Sequence, residues 1–204
     1  MPTGVAMRDA RGQLFDAAER VLLRDGPSAL TSRAVTLEAG CAKGVLHRHF
    51  ADFDAFLAEL VLHRIERIED RAAALRASAG TGTVADNLTQ ALLDLFESVA
   101  VAVVSLVTSR DGLRARLREA RPAGVPLLTD AATAIAAYLT AERALGRVTS
   151  DADVDTLAPT LIGAAHMLFA DRQGVPPEAG DVRRVVTAVV AGAVQEPPGA
   201  RDAG

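Results

Sequence analysis

Apolar residues recur along most of the chain at spacings of three and four, the period of an α-helix with one buried face. Residues 8–25 carry such a repeat, which Gly26-Pro27 ends. A longer repeat runs through residues 53–77, with most of its charged residues on the opposite face. These patterns predict two amphipathic helices, the second long enough to connect separate parts of the fold.

The rest of the chain continues the helical pattern. Further helices are predicted over residues 84–109, 110–121, 122–145, 150–173 and 180–195. The valine-rich residues 99–107 are also compatible with a strand, but no second strand with turn chemistry accompanies them. With two short helices between residues 31 and 50, the sequence predicts an all-α fold of about nine helices, with a flexible arm over residues 1–7 and a tail from Pro197.

Residues 31–50 predict two short helices joined by a tight turn. Thr31 and Ser32 provide side-chain oxygens to cap the first helix, which has Val35 and Leu37 as its apolar residues. Gly40 ends that helix, and the second one starts near residue 42. The unit is a helix-turn-helix.

In the second short helix the apolar residues Leu46 and Phe50 are four apart and point inward. The residues left to face outward are Lys43, Gly44, Val45, His47 and Arg48. This set is unusual for a solvent face, because it combines two permanent cations, a titratable ring, a glycine and a β-branched residue. It fits the major groove of DNA. The alternative is a solvated helical face without a partner.

Several features occur together in the first quarter of the chain. They are Phe15, the Thr31 cap, Ala39-Gly40, residues 42–50 and a long apolar helix from Asp54. Over about residues 8–57 the chain resembles the N-terminal domain of TetR-family transcriptional regulators. The resemblance implies a three-helix DNA-binding domain over residues 1–52 and a helical effector-binding and dimerisation domain over residues 53–204. It further implies a homodimer, most often a repressor, that binds a palindromic operator and is released by a small effector.

The predicted DNA-binding residues have separable roles. They are Thr31, Ser32, Arg33, Ala42, Lys43, Gly44, Val45, His47 and Arg48. Lys43, the two capping hydroxyls and backbone N–H groups are expected to bind phosphate, and Arg33 adds a contact. Gly44 permits close approach of the backbone, Val45 reaches a thymine methyl group, and Arg48 or His47 reads a base edge.

Three positions depart from the family's pattern. His47 replaces a tyrosine that binds phosphate, and its imidazole gains charge in mildly acidic solution, which would strengthen binding. Phe53 replaces a lysine that also binds phosphate, and Thr36 replaces a small alanine where the two helices cross. His47, Phe53 and the overall net charge of −4 support an alternative, a helical dimer that binds a small molecule or protein and has a degenerate DNA-binding head.

Charge and composition narrow the function. Residues 1–50 hold seven basic and five acidic residues, so the excess of acids lies in the rest of the chain. A single cysteine, Cys41, excludes an intrachain disulfide and a cysteine-based zinc finger. His47 and His49 are two apart and point to nearly opposite sides of a helix, so no metal site or cofactor is expected.

Enzyme activity and membrane insertion are not expected either. The sequence has no glycine-rich phosphate loop and no nucleophile elbow. It also has no apolar run long enough to span a bilayer and no signal peptide, so we expect a soluble, cytoplasmic protein.

Two sites are expected in the second domain. Larger or polar side chains within its apolar stretches are candidates to bind an effector, and core packing is at least as good an explanation for each: His63, Phe96, Ser105, Tyr138, His166, Met167 and Phe169. Together they suggest a mainly apolar, small amphipathic ligand. The last helix is apolar or small-sided around most of its circumference, so the two C-terminal helices are predicted to form a four-helix bundle with a second copy.

Overall fold

The computed structural model describes residues 9–96, 100–122, 124–170 and 177–195. Within them the chain forms ten α-helices and a 3₁₀ turn at Pro27–Ala29, and no strand beyond a single bridge. The helices are α1 Ala10–Asp25, α2 Ser32–Glu38, α3 Gly44–His49, α4 Phe53–Ala77, α5 Val84–Phe96, α6 Ala100–Ser109, α7 Asp111–Ala120, α8 Leu128–Ala144, α9 Val154–Ala170 and α10 Ala179–Val190. The all-α prediction is confirmed.

Two compact units make up the chain. The first comprises residues 1–64 and 98–126, and the second comprises residues 65–97 and 127–204. The helix α4 contributes its first half to one unit and its second half to the other. These units are defined by packing, so the functional boundary expected between residues 52 and 53 stays a prediction.

An aromatic cluster lies at the centre of the first unit. The rings of Phe15 in α1, Phe50 at the end of α3 and Phe56 in α4 lie 5.0 to 5.9 Å apart, centroid to centroid. Leu14 and Leu46 are fully buried beside them. Each aromatic pair contributes about 0.5–1.5 kcal/mol beyond the area that it buries. The cluster therefore fixes α3 against α1 and the start of α4.

The second unit is built around α9 and α10. The helix α9 packs against α8 and α10, and α10 also packs against α5. One face of α10 is buried through Val182, Val186 and Val190, which recur every four residues.

The helix predicted over residues 122–145 begins later, at Leu128. The backbone of Gly124 and Leu127 has φ of 74° and 69°, which is outside the helical region, and this holds the preceding segment out of the helix. The Asp130 carboxylate accepts a hydrogen bond from the Leu127 N–H at 3.1 Å, which fixes the start of α8. The periodic apolar pattern continued through Leu127, so it did not mark this boundary.

The last helix ends at Val190 rather than at Gln195. The backbone after it pairs with residues 147–149: the Thr149 N–H donates to the Ala193 carbonyl at 2.8 Å, and the Gln195 N–H donates to the Arg147 carbonyl at 3.0 Å. These bonds replace the helical ones, which explains the early end. The sequence predicts one helix over residues 84–109, whereas the structure has two, α5 and α6. Residues 97–99, between them, lie outside the described residues.

Other predicted boundaries are close to those observed. The helix α4 has the predicted bounds, and α3 begins two residues after the expected start. The expected arm, the tail and the predicted end of α9 at residue 173 fall outside the described residues. In the described part of the chain, no single helix is long and apolar enough to cross a membrane, although α5 and α6 taken together would reach that length and composition.

Candidate nucleic-acid interface and effector cavity

The helices α2 and α3 form the predicted helix-turn-helix. Thr31 caps α2, since its Oγ1 accepts a hydrogen bond from the Ala34 N–H at 3.1 Å. Gly40 makes the turn with φ of 64°, where a side chain would be strained. The Cys41 N–H then donates to the Thr36 carbonyl at 3.0 Å and closes the turn. Local hydrogen bonds thus set the angle between the two helices.

Of the two apolar residues of α2, only Val35 faces the core. Val35 is fully buried, but Leu37 is 78% exposed and Thr36 is buried instead. Two residues that are two apart on a helix point to nearly opposite sides, so Val35 and Leu37 cannot both face the core. The Thr36 hydroxyl donates to the carbonyls of Ser32 and Arg33 at 3.0 and 3.2 Å, which satisfies it in this buried position.

The outer face of α3 carries the predicted residues. Exposed positions are Ala42, Lys43, Gly44, His47 and Arg48, whereas Val45 is only partly exposed. Leu46 and Phe50 are buried, as predicted, and hold this face outward. A Cβ atom added to Gly44 would meet no neighbour, so the glycine leaves open space for a partner's approach.

The start of α2 offers the remaining predicted contacts. Thr31 and Arg33 are exposed. The Ser32 Oγ is covered and has no hydrogen-bond partner within the described part of the chain. A buried hydroxyl without a partner is unfavourable, so this hydroxyl is available to a hydrogen-bond acceptor from outside the described residues.

Ion pairs divide the cations of the first unit into two groups. Arg20 and Arg24 both bind the Glu38 carboxylate, each at 2.8 Å. Hydrogen bonds from Arg20 and then Arg24 lower the pKa of Glu38 below its usual value. By contrast, no described acid forms an ion pair with Lys43 or Arg48 on the outer face of α3. The two cations that the sequence predicts to contact DNA are therefore not paired with an acid in the described part of the chain.

The partly buried Cys41 lies in the turn between α2 and α3. Burial raises the pKa of the Cys41 thiol, which disfavours the reactive thiolate. Among the described residues, no group of three or more histidine, cysteine or acidic side chains is arranged to hold a metal ion.

The seven predicted effector-binding residues are not brought together. His63 and Ser105 belong to the first unit, where His63 stacks on Phe15 with ring centroids 5.3 Å apart and Ser105 is exposed. Met167, on α9, is 70% exposed. Tyr138 is completely buried in the second unit.

The other three predicted residues form a ring cluster in the second unit. The ring of Phe96 stacks on that of Phe169, with centroids 5.1 Å apart, and its centroid lies 6.1 Å from that of the His166 ring. Burial lowers the pKa of His166, whose Nδ1 is covered and has no hydrogen-bond partner among the described residues.

A cavity of about 240 Å³ lies elsewhere in the second unit. Its lining is mostly alanine, leucine and isoleucine, with a few polar groups: Ile68, Arg71, Ala72, Ala74, Leu75, Ser78, Asn87, Gln90, Ala91, Asp94, Leu95, Ala131, Ala134 and Ile135. None of the seven predicted residues is in this lining. Small side chains leave the space, and a sequence gives no direct signal for a space between helices.

A buried polar network borders the cavity. The Tyr138 hydroxyl donates to the Glu142 carboxylate at 2.6 Å and accepts from the amide of Asn87, a lining residue, at 3.0 Å. Glu142 is completely buried and also accepts from the Gly80 N–H at 3.2 Å. Burial, and then the bond to Glu142, raises the pKa of Tyr138. An acid four residues after a tyrosine on an apolar helix face was the sequence signal that could have revealed this network.

Comparison with known proteins agrees with this architecture. Residues 14–60 match the family model described as bacterial regulatory proteins, tetR family. No curated protein sequence matches the chain significantly.

Solved structures resemble nearly the whole chain. A transcriptional regulator from Rhodococcus sp. Rha1 superposes with a TM-score of 0.69 and 19% identity, over 92% of this chain and 99% of that one. The multidrug-binding protein EbrR, solved with imidazole, superposes with a TM-score of 0.58 and 20% identity, over 92% of this chain and 96% of that one. SmeT, the repressor of a Stenotrophomonas maltophilia multidrug efflux pump, superposes with a TM-score of 0.61 and 18% identity, over 91% of each chain. Residues 14–60 thus match the N-terminal domain of the TetR family of bacterial regulatory proteins, and the chain as a whole has the fold of these three structures.

Proposed function

We propose that the chain is a ligand-responsive transcriptional regulator that binds a palindromic operator as a homodimer and in most settings represses. The observation that carries the proposal is the helix-turn-helix geometry, in which Lys43, Gly44, His47 and Arg48 are exposed on a helix anchored by Leu46 and Phe50. Lys43 and the Thr31 end of α2 hold phosphates, and Arg48 and His47 face base edges. Two such helices in a dimer read half-sites about one helical turn, or somewhat more, apart.

The effector binds in the cavity of the second unit. Its volume is slightly below the usual range for ligand pockets, about 300–1,000 Å³, and its lining is apolar with a few polar groups, which suits a small amphipathic compound. The uninterrupted helix α4 begins beside the DNA-binding helices and supplies cavity residues such as Ile68 and Leu75. Binding that favours one position of α4 would change the spacing of the DNA-binding helices and release the operator.

Dimerisation uses α9 and α10. Apart from Asp155 in the first turn, the exposed residues of α9 are small or uncharged, namely Thr156, Pro159, Thr160, Gly163, Met167 and Ala170. On α10 the exposed residues include Thr187 and Ala188, and also Arg183 and Arg184. Small side chains allow helices to approach closely, and two helices from each copy make a four-helix bundle.

The protein acts by binding in the cytoplasm, and we assign it no catalytic residue, cofactor or metal.

Selection of bound fragments from random duplex DNA tests this function. The expected product is a palindrome, because a two-fold dimer reads each half-site in the same way. On that operator, Lys43→Gln should lower the slope of log K against log salt by about 1 per lost phosphate contact, hence about 2 for a dimer. Arg76→Gln, which removes the same charge from an exposed residue of the second unit, is the control.

The alternative function is a helical dimer that binds a small molecule or protein and has a degenerate head. It predicts no enriched sequence and no effect of Lys43→Gln at any salt concentration. That result would replace the regulator proposal.

A further inference from the structure

The positive charge of the first unit lies in an unexpected place. Residues 1–64, which include the whole helix-turn-helix, have eight basic and eight acidic residues and are therefore neutral. Residues 98–126 add five arginines and two acids, all between Arg110 and Arg121. The net charge of +3 in this unit thus equals the excess contributed by α7 and its two flanking residues, while the second unit carries −7.

The first turn of α7 lies against the residues that directly follow α3. The guanidinium of Arg110 sits over the ring of Phe53, 5.5 Å from its centroid, and its Nε is 3.9 Å from the Asp54 carboxylate. A Cβ atom added to Gly112 would lie 2.8 Å from the same carboxylate. Two separate contacts therefore place the start of α7 at the start of α4.

A second arginine, Arg116 of α7, also contacts the start of α4. Arg116 forms an ion pair with Asp52, whose other carboxylate oxygen caps α4 by accepting from the Ala55 N–H at 2.7 Å. Arg116 and Asp52 are about half exposed, at 43% and 49% of the side chain, and Arg110 is 36% exposed. These guanidinium groups are in contact with solvent beside the end of α3.

Because α3 is short, residues 52–54, which follow it, would lie close to DNA. Six residues of helix span about 9 Å, less than the major groove's width of about 12 Å. If α3 lies in the groove, the groups that follow its last residue are beside a phosphate strand that borders the groove. Asp52 and Asp54 alone would repel that strand, and the α7 arginines offset both acids.

We propose that α7 is part of the DNA-binding surface: Arg110, held on the Phe53 ring, contacts a backbone phosphate, and Arg116 neutralises Asp52 beside it. This inference rests on the proposed function, because it assigns two further residues to the same DNA complex. The ring below Arg110 limits the guanidinium's motion, so less ordering is needed when it binds.

The test compares two arginines of the same helix. Arg110→Gln and Arg118→Gln remove the same charge at the start of α7 and within it. Among the described residues, Arg118 forms no ion pair or ring contact with residues 52–54, and it lines a pocket with Val107 and Val125. Binding is measured on a fluorescent mixed-sequence duplex of about 30 base pairs, between about 50 and 200 mM salt. Circular dichroism and thermal melting check that each variant is folded.

The expected result separates the two variants. Arg110→Gln should bind about fivefold or more weakly, with a salt slope lowered by about 1 per subunit, while Arg118→Gln keeps the wild-type slope. For Arg116, the single variant Arg116→Gln should weaken binding, and the double variant Asp52→Asn with Arg116→Gln should restore it to within about twofold.

Other outcomes overturn the inference in distinguishable ways. If Lys43→Gln lowers the slope while Arg110→Gln behaves like Arg118→Gln, α7 does not contact DNA and the proposed regulator function stands. If the wild-type protein binds no duplex at any salt concentration, both the proposed function and the role of α7 are wrong.

Discussion

Thr31 stabilises the helix-turn-helix through a single side-chain hydrogen bond. Its Oγ1 accepts from the Ala34 N–H, one of the donors that lacks a partner at a helix start. Thr31→Ala should lower the free energy of unfolding by about 1 kcal/mol, and Thr31→Ser should not, because serine retains the oxygen. Urea denaturation of both variants measures the difference. Equal losses in the two variants would mean that the methyl group, rather than the cap, matters.

His166 makes stability depend on pH. Burial lowers its pKa in the folded protein, so protonation favours the unfolded chain. Its contribution to stability is intact above the unfolded pKa of about 6.5 and is lost as the pH falls below it. Between about pH 7.5 and 5.5, His166→Gln should lose less stability than the wild type in urea denaturation, while the exposed His47→Gln control follows the wild type. A wild-type pH dependence in His166→Gln would contradict this.

Individual residues were predictable where one local rule decides their place. The Thr31 cap, the Gly40 turn and the inward pair Leu46 and Phe50 follow from sequence spacing alone. Leu37 shows that hydrophobicity alone does not place a residue: it is two residues from the buried Val35 and faces the other side of α2. Glu142 is not predictable in this way, because a completely buried acid is intelligible only once its partners Tyr138, Gly80 and Arg147 are known.

At the scale of helices, the cavity between α4, α5 and α8 gives the next prediction. Ala134→Leu adds three carbons to its lining and partly fills its volume of about 240 Å³. In a thermal-shift screen of short-chain alcohols and carboxylates, at least one compound should stabilise the wild type, and Ala134→Leu should remove that shift. Thr140→Leu, exposed on the same helix, is the control and should keep it. A shift retained by Ala134→Leu would place the ligand elsewhere.

Helix boundaries were predictable where the apolar repeat itself stops. The helix α4 was predicted to the residue because its repeat begins after α3 and ends before a Ser-Gly-Thr loop. The start of α8 and the end of α10 depend instead on the backbone of Leu127 and on hydrogen bonds to residues 147–149. Both lie within or beside apolar runs, so periodicity continued past the true boundary.

At the scale of the whole molecule, the missing information was long-range. The arginines of α7 were read as a charged helix, and only the fold places Arg110 and Arg116 beside residues 52–54, more than 50 residues away in sequence. The cavity is a similar case, since it depends on three helices that are far apart in the chain. Sequence patterns thus predicted the helix-turn-helix and the fold class, whereas the surfaces assembled from distant segments required the structure.

The predicted homodimer is open to a direct test on α9. Met167 is 70% exposed on the face that carries Gly163 and Thr160, and in a two-fold interface each substitution appears twice. Met167→Glu should therefore convert a dimer to monomers at micromolar concentration in sedimentation velocity, because two carboxylates would be buried close together. Thr140→Glu, exposed on α8, adds the same charge elsewhere and should remain a dimer. Operator affinity should fall with dimer content, since one monomer reads only one half-site. A monomeric wild type, or a Met167→Glu variant that remains dimeric, would show that α9 does not form the interface.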